Sequence, residues 1–212
     1  HTPRALARIY DDYLHIVVRD ESTIRSVKDL QGKRVAVGAK NSGVQVIAKR
    51  VLSIARVDVT QVNDSLGGSA DQLKAGTIDA FFWSGGLPTR EITALATKDF
   101  HIRLVDMSDV MNSIRAEYRY YSSATVPLST YSLGGPQTPV TTPVTTLVVP
   151  NLLLVRDDFP AGNACAITKL IFDRKDELAR THPAAKEITR ETAVKTDPVP
   201  LHPGARQALG VN

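Results

Sequence analysis

Val35-Ala-Val-Gly-Ala-Lys-Asn-Ser-Gly43 passes from a β-branched run into a small, polar turn, and a helical pattern begins directly after it. The reading is a strand that delivers the chain onto a helix N-terminus. Asn41 or Ser42 can serve as N-cap, Gly43 lets a ligand approach the backbone closely, and Val44, Ile47, Val51 and Leu52 form the apolar stripe of the helix. Free N–H groups and a positive dipole end at such a turn suit an anion. The spacing from Gly38 to Gly43 imitates a nucleotide phosphate loop, but that loop needs Lys and then Ser or Thr after the second glycine, and Val44 and Gln45 stand there. G-x-G-x-x-G is not matched either. What remains is a turn able to hold one carboxylate-sized group, or a plain capped strand-to-helix turn.

Further along, Ile78-Asp-Ala-Phe-Phe82 is strand-like and runs into Trp83-Ser-Gly-Gly-Leu-Pro88, where Pro88 stands at the first helical position ahead of Ile92, Leu95 and Ala96. The second turn repeats the first. In an open α/β sheet both turns lie at the carboxyl ends of strands, the edge at which ligands bind. Strands are also expected at Leu14–Val18, Arg34–Val37 and His101–Val105. Helices are expected at Val44–Ala55, before Gly76, at Val110–Tyr121, at Ala161–Thr181, from Pro183, and at the C-terminus after an extended segment from Pro198 to Pro203. Ser122–Pro150, rich in Thr, Ser, Gly and Pro around Tyr131 and Gly134-Gly-Pro136, reads as a long excursion that joins the extended run Thr145–Val155. Asp11-Asp12 and Asp157-Asp158 read as turn and helix punctuation.

The composition excludes several functions. No run of about 18 apolar residues is present, so no membrane-spanning helix is expected. The net charge of +4 comes from 26 basic residues scattered among 22 acidic ones, with no basic helix carrying interleaved aromatics, so nucleic acid is not an expected partner. The single cysteine, Cys165, sits in an apolar helical pattern as a buried thiol. Trp83-Ser84-Gly85 lacks the glycine two positions before the serine that makes a nucleophile elbow, which leaves Ser84 as a hydrogen-bond donor. His15, His101, His182 and His202 fall in different elements without metal-ligand spacing. No catalytic residue, metal or cofactor is expected. Trp83 beside two glycines is either a pocket wall or core, and Tyr118, Tyr120 and Tyr121 either pack or line a cleft.

Taken in order, His15-Ile-Val-Val-Arg19, Val27-Lys-Asp-Leu-Gln-Gly-Lys-Arg-Val-Ala-Val-Gly38, Ser42-Gly43, Leu73-Lys-Ala-Gly-Thr-Ile-Asp-Ala-Phe-Phe82, Gly86-Leu-Pro88, His182-Pro-Ala-Ala-Lys-Glu-Ile188 and Val199-Pro-Leu-His-Pro-Gly-Ala205 resemble the TAXI family. Its members are the solute receptors of tripartite ATP-independent periplasmic (TRAP) transporters. The resemblance implies an α/β fold of the type II periplasmic-binding-protein kind, two lobes joined by crossing strands, closing without chemistry over a solute such as glutamate, glutamine or a dicarboxylate. It implies that residues 1–25 and 147–212 form a partial first lobe and residues 26–146 the second, the rest of lobe one lying upstream of this chain. By the same resemblance Ser42, Gly43 and Val44 would hold the solute carboxylate by hydroxyl and backbone donors, Phe82, Trp83 and Ser84 would line the second lobe, and Tyr131 would cover the cleft, with Gly38, Asn41 and Gly85 as further ligand-binding positions. A periplasmic or extracytoplasmic location, the membrane components of a TRAP transporter as partner, and self-association through uncovered apolar surface are further expectations. The rival readings are an enzyme on the same two-lobed architecture and the effector-sensing domain of a transcription regulator.

Overall fold

The computed structural model describes residues 1–127, 130–131 and 143–211. Its strands are β1 (Pro3–Arg19), β2 (Arg34–Ala36), β3 (Thr60–Val62), β4 (Ala80–Gly85), β5 (Ile102–Leu104), β6 (Ser122–Val126) and β7 (Val144–Arg156). Its helices are α1 (Gly43–Ala55), α2 (Leu66–Ala75), α3 (Arg90–Leu95), α4 (Ser108–Glu117), α5 (Ala161–Asp173), α6 (Lys175–Thr181), α7 (Arg190–Ala193) and α8 (Pro203–Leu209), with 3-10 turns at Val27–Leu30 and Pro183–Glu187. Two compact units result, one of residues 1–12 and 150–211, the other of Tyr13–Val149. The two long strands β1 and β7 each run through both units. The sequence reading set the limits at 25/26 and 146/147. Tyr13–Arg19 group with the central unit because their backbone pairs with β4 and β5.

The fold is a mixed α/β sheet, in the order β3-β2-β4-β1-β7-β6 with β5 also on β1. β2 runs parallel to β3 and β4, and β1 runs antiparallel to β4 and β5. Alternation along the strands builds two cores in the central unit. Leu14, Ile16, Val18, Val35, Val37, Ala80 and Phe82 enter one cluster with the apolar stripes of α1 and α4. Val17, Ala36, Phe81, Ile102 and Leu104 enter another with residues of α2 and α3. A strand covered on both faces must be apolar at successive positions, which is why Ala80-Phe81-Phe82 is an unbroken hydrophobic run. In the other unit the core is small, with Leu6, Ala164 and Ala205 at its centre.

Several expectations are corrected. β1 is much longer than Leu14–Val18, and Asp11-Asp12 lie inside it rather than at a turn. There Asp11 is gripped bidentately by Arg8, at 2.7 and 2.8 Å from one guanidinium nitrogen. The helix expected over Ala161–Thr181 is broken at Arg174 into α5 and α6, with Asp176 and Glu177 in the first turn of the new helix, the end that favours acids. Ser122–Pro150 contains β6 and the start of β7, paired from Ser122↔Val148 to Val126↔Val144, while Gly134-Gly-Pro136 lies outside the described residues. Tyr118, Tyr120 and Tyr121 pack around Arg50, whose guanidinium donates to the Tyr120 and Tyr121 hydroxyls at 2.9 and 2.8 Å.

Candidate functional site

Two parallel strands end together while a third runs on beside them. Ala36 of β2 is in register with Val62 of β3 and Phe81 of β4, so the chain leaves β2 and β3 at one sheet edge beside the outgoing half of β4. After β2 the backbone bends at Gly38, with φ +89°. A Cβ there would lie 2.8 Å from the Val44 Cβ, so only glycine lets the turn close onto the first turn of α1. Asn41 takes the left-handed conformation at φ 61°, and its amide donates to Gln45 Oε1 at 3.0 Å. Ser42, not Asn41, is the N-cap: its Oγ accepts from the Gln45 amide at 3.2 Å. Gly43 is exposed with open space where a Cβ would be, and Val44 is buried in the core, so a ligand at this turn would meet their backbone rather than their side chains. No acidic residue stands in the first turn of α1.

The β3 exit was not anticipated from sequence. Asn63 Nδ2 donates to the Gly38 carbonyl at 2.9 Å and ties this exit to the α1 turn. Ser65 caps α2, its Oγ accepting from the Gly68 amide at 3.1 Å. The Asp64 carboxylate accepts from the Ser65 amide at 2.7 Å and from Gln72 Nε2 at 2.6 Å, and it overlies Gly68, where a Cβ would collide with it. The α2 terminus therefore carries its own negative charge while the α1 terminus carries none. Of these two termini, α1 is the one whose charge suits an anion. The signal for this was present as Asn63-Asp64-Ser65 before Gly67-Gly68, but the strand ahead of it, Thr60-Gln-Val62, is too short and polar to be read as one.

On the β4 side, Trp83, Ser84 and Gly85 belong to the strand rather than to a turn, opposite His15, Leu14 and Tyr13 of β1. Phe82 is buried in the core, whereas Trp83, Ser84 and Gly85 are half-buried. The Trp83 indole donates through Nε1 to Thr89 Oγ1 at 3.2 Å and lies against Gly85, where a Cβ would stand 2.5 Å from that nitrogen. Helix α3 starts after Thr89, so Pro88 is outside it. Tyr131 is 3% exposed, and its hydroxyl accepts from the Thr89 amide at 2.8 Å and contacts His15 Nε2 at 2.8 Å. His15 is 1% exposed, and burial pushes its pKa down to about 4, so the ring is neutral near pH 7. Its Nδ1 meets the Tyr13 carbonyl at 2.8 Å. The polar groups of α1 and β4 at this edge, amides, a hydroxyl and an indole, are suited to holding and orienting a ligand. Elsewhere among the described residues, His1, Asp157 and Asp158 bring three exposed ligand-type atoms close together, with Arg156 hydrogen-bonded to His1 and Asp158.

The profile of the NMT1-like family matches residues 2–209. The chain belongs to the NMT1-like family. Among solved structures, this NMT1-like chain is similar to the amino acid ABC transporter substrate-binding protein AbpA from Streptococcus pneumoniae bound to L-arginine, at 15% identity, covering 88% of this chain and 60% of that one, with a TM-score of 0.48. It is similar to the periplasmic sulfonate-binding protein SsuA from Methylobacillus flagellatus KT, at 18% identity, covering 71% and 37%, with a TM-score of 0.42. It is also similar to the regulatory domain of CcmR from Synechocystis PCC6803 in complex with 2-PG, at 12% identity, covering 71% and 58%, with a TM-score of 0.42. The NMT1-like chain thus spans less than two thirds of the length of each of these proteins. Among its described residues no helix is long and apolar enough to cross a membrane.

Proposed function

We propose that this chain is the solute-capturing part of an extracytoplasmic receptor of the TAXI type, which binds a small carboxylate-bearing solute and passes it to the membrane components of a TRAP transporter without chemical change. The observation that carries the reading is the acid-free N-terminus of α1 at the carboxyl ends of β2 and β3, beside an α2 terminus against which the Asp64 carboxylate is folded. In this reading the solute carboxylate rests on the amides of Gly43 and Val44 and on the Ser42 hydroxyl, with Gly38 and Asn41 shaping the turn. Trp83, Ser84 and Gly85 form a wall supported from behind by Phe82 and Tyr131. An amino acid such as glutamate or glutamine, or a dicarboxylate, has the right charge and size. The units formed by residues 1–12 with 150–211 and by residues 13–149 would correspond to part of lobe one and to lobe two.

A thermal-shift screen against glutamate, glutamine, 2-oxoglutarate, succinate and a nucleotide tests it. A solute that binds only the native state raises Tm, by about 2.7 kcal/mol of stabilisation at a hundred times Kd. The expected result is a rise with one of the acids and none with the nucleotide. A rise with the nucleotide alone would overturn the reading and return Gly38–Gly43 to consideration as a phosphate loop.

A further inference from the structure

We propose that His15, Tyr131 and Thr89 form a buried positioning chain that holds Trp83 in one orientation at the carboxyl end of β4 and thereby sets which solutes the site accepts. The effect on solutes rests on the receptor reading; the hold on Trp83 does not.

With His15 neutral, the hydrogens along this chain follow from the Tyr13 carbonyl that faces its Nδ1. That carbonyl can only accept, so neutral His15 is protonated on Nδ1 and its Nε2 accepts the Tyr131 hydroxyl proton at 2.8 Å, while the hydroxyl oxygen accepts the Thr89 amide at 2.8 Å. The Nδ1 proton is donated to the Tyr13 carbonyl at 2.8 Å. Thr89 Oγ1 donates to the Gly86 carbonyl at 2.9 Å, which leaves its lone pairs to accept the Trp83 indole at 3.2 Å. Every donor named here has an acceptor within 3.2 Å. His15, Tyr131 and Thr89 are 1, 3 and 8% exposed, so water is not at hand to replace a lost partner.

The geometry converges on Trp83 from two sides. His15 sits opposite it in the β1–β4 register, and Thr89 closes the turn onto its indole nitrogen. Turning the ring over would separate Nε1 from Thr89 and leave the space at Gly85 unfilled. Apolar side chains could fill the same volume, as their neighbours in this cluster do. A fully satisfied polar chain adds what they cannot, a single allowed arrangement.

Trp83 is the sole tryptophan, so its fluorescence reports the hold directly. Tyr131→Phe and Thr89→Val should each red-shift the Trp83 emission and increase its quenching by acrylamide, while Thr89→Ser, which keeps the hydroxyl, should behave as the native chain. Thr89→Val is nearly isosteric and leaves the amide bond to Tyr131 in place, so it serves if Tyr131→Phe fails to fold by circular dichroism. Unchanged emission and quenching in the folded variants would overturn the proposal. With the solute found by thermal shift, Tyr131→Phe should change the affinity ratio between that solute and the next best by about tenfold. An unchanged ratio beside a shifted emission would overturn the selectivity half. If no acid stabilises the native chain, the receptor reading fails, and the hold on Trp83 is judged on emission alone.

Discussion

Asn41 and Ser42 are neighbours with different jobs, and substitution can separate stability from binding there. Ser42→Ala removes the cap and should cost about 1 kcal/mol of stability whether or not a solute binds. Asn41→Asp puts an acid beside the α1 terminus, which favours the helix dipole but repels an anion. We expect its Tm to hold or rise slightly while affinity for the carboxylate solute falls about tenfold. Calorimetric titration giving equal affinity would remove this turn from the site. Gly38→Ala combines a positive φ with a clash against Val44 and should destabilise by about 1–3 kcal/mol. A urea midpoint matching the native chain would contradict the tight turn. His15 predicts a pH dependence. Its folded pKa of about 4 lies below the ordinary 6.5, so between those values the unfolded chain binds a proton that the folded chain does not. The stability it contributes is fully present above about pH 6.5 and is lost as pH falls towards 4, to the extent of about 3 kcal/mol. His15→Gln should lack this component in urea midpoints measured across that range; an identical pH profile would refute the burial argument. Carboxylates such as Asp79, held below the usual range by Arg34, lose their contribution at lower pH and so do not imitate it.

At the scale of elements, α5 and α8 meet through small residues. A Cβ on Gly204 would run into the Ala161 carbonyl and come within 2.9 Å of the Ala164 Cβ, so the backbones approach closely there. His202 caps α8, its Nδ1 accepting from the Gly204 amide at 3.1 Å, and is itself buried. Gly204→Ala should therefore overpack the contact and cost about 1–3 kcal/mol, lowering Tm by several degrees. A melting curve by circular dichroism that superimposes on the native one would show that the helices can part at no cost. The elements themselves were partly legible. The helix from Gly43 to Ala55 follows from its apolar stripe and its serine cap, and the end of α2 from Gly76, which adopts φ 76°. The break at Arg174 was missed because the apolar period continues through Leu170, Ile171 and Leu178, while the acids that begin α6 interrupt nothing in that period. β3 was missed because three half-exposed or exposed residues leave no alternation to read.

At the scale of the whole chain, the two units differ in how they are held. The central unit has two extensive apolar clusters, whereas the other centres on Leu6, Ala164 and Ala205 and relies on alanine contacts. That unit also leaves Leu154, Ile167, Leu170 and Leu178 exposed. Because hydrophobic burial dominates stability, the unit with the smaller core should unfold at lower denaturant. Trp83 belongs to the central unit, so fluorescence follows that unit while far-ultraviolet circular dichroism follows both. The expected result is a dichroism transition that begins before the fluorescence transition in urea. Coincident transitions would mean that the two units unfold as one cooperative body.

The α/β class and the strand-to-helix turn at Val35–Gly43 were legible from the residues alone, because they depend on local period and local capping, whereas the family profile reports NMT1-like membership and leaves the TAXI resemblance a proposal. The sequence also pointed to Trp83 and Tyr131. Only the tertiary structure decided what those residues touch. The alignment of His15 with Trp83 joins positions far apart in the chain through backbone pairing, which no local pattern encodes. The difference between the α1 and α2 termini likewise depends on where the Asp64 carboxylate folds back, over Gly68 and onto Gln72. Local sequence sets which groups are available, and the register of the sheet sets which of them meet.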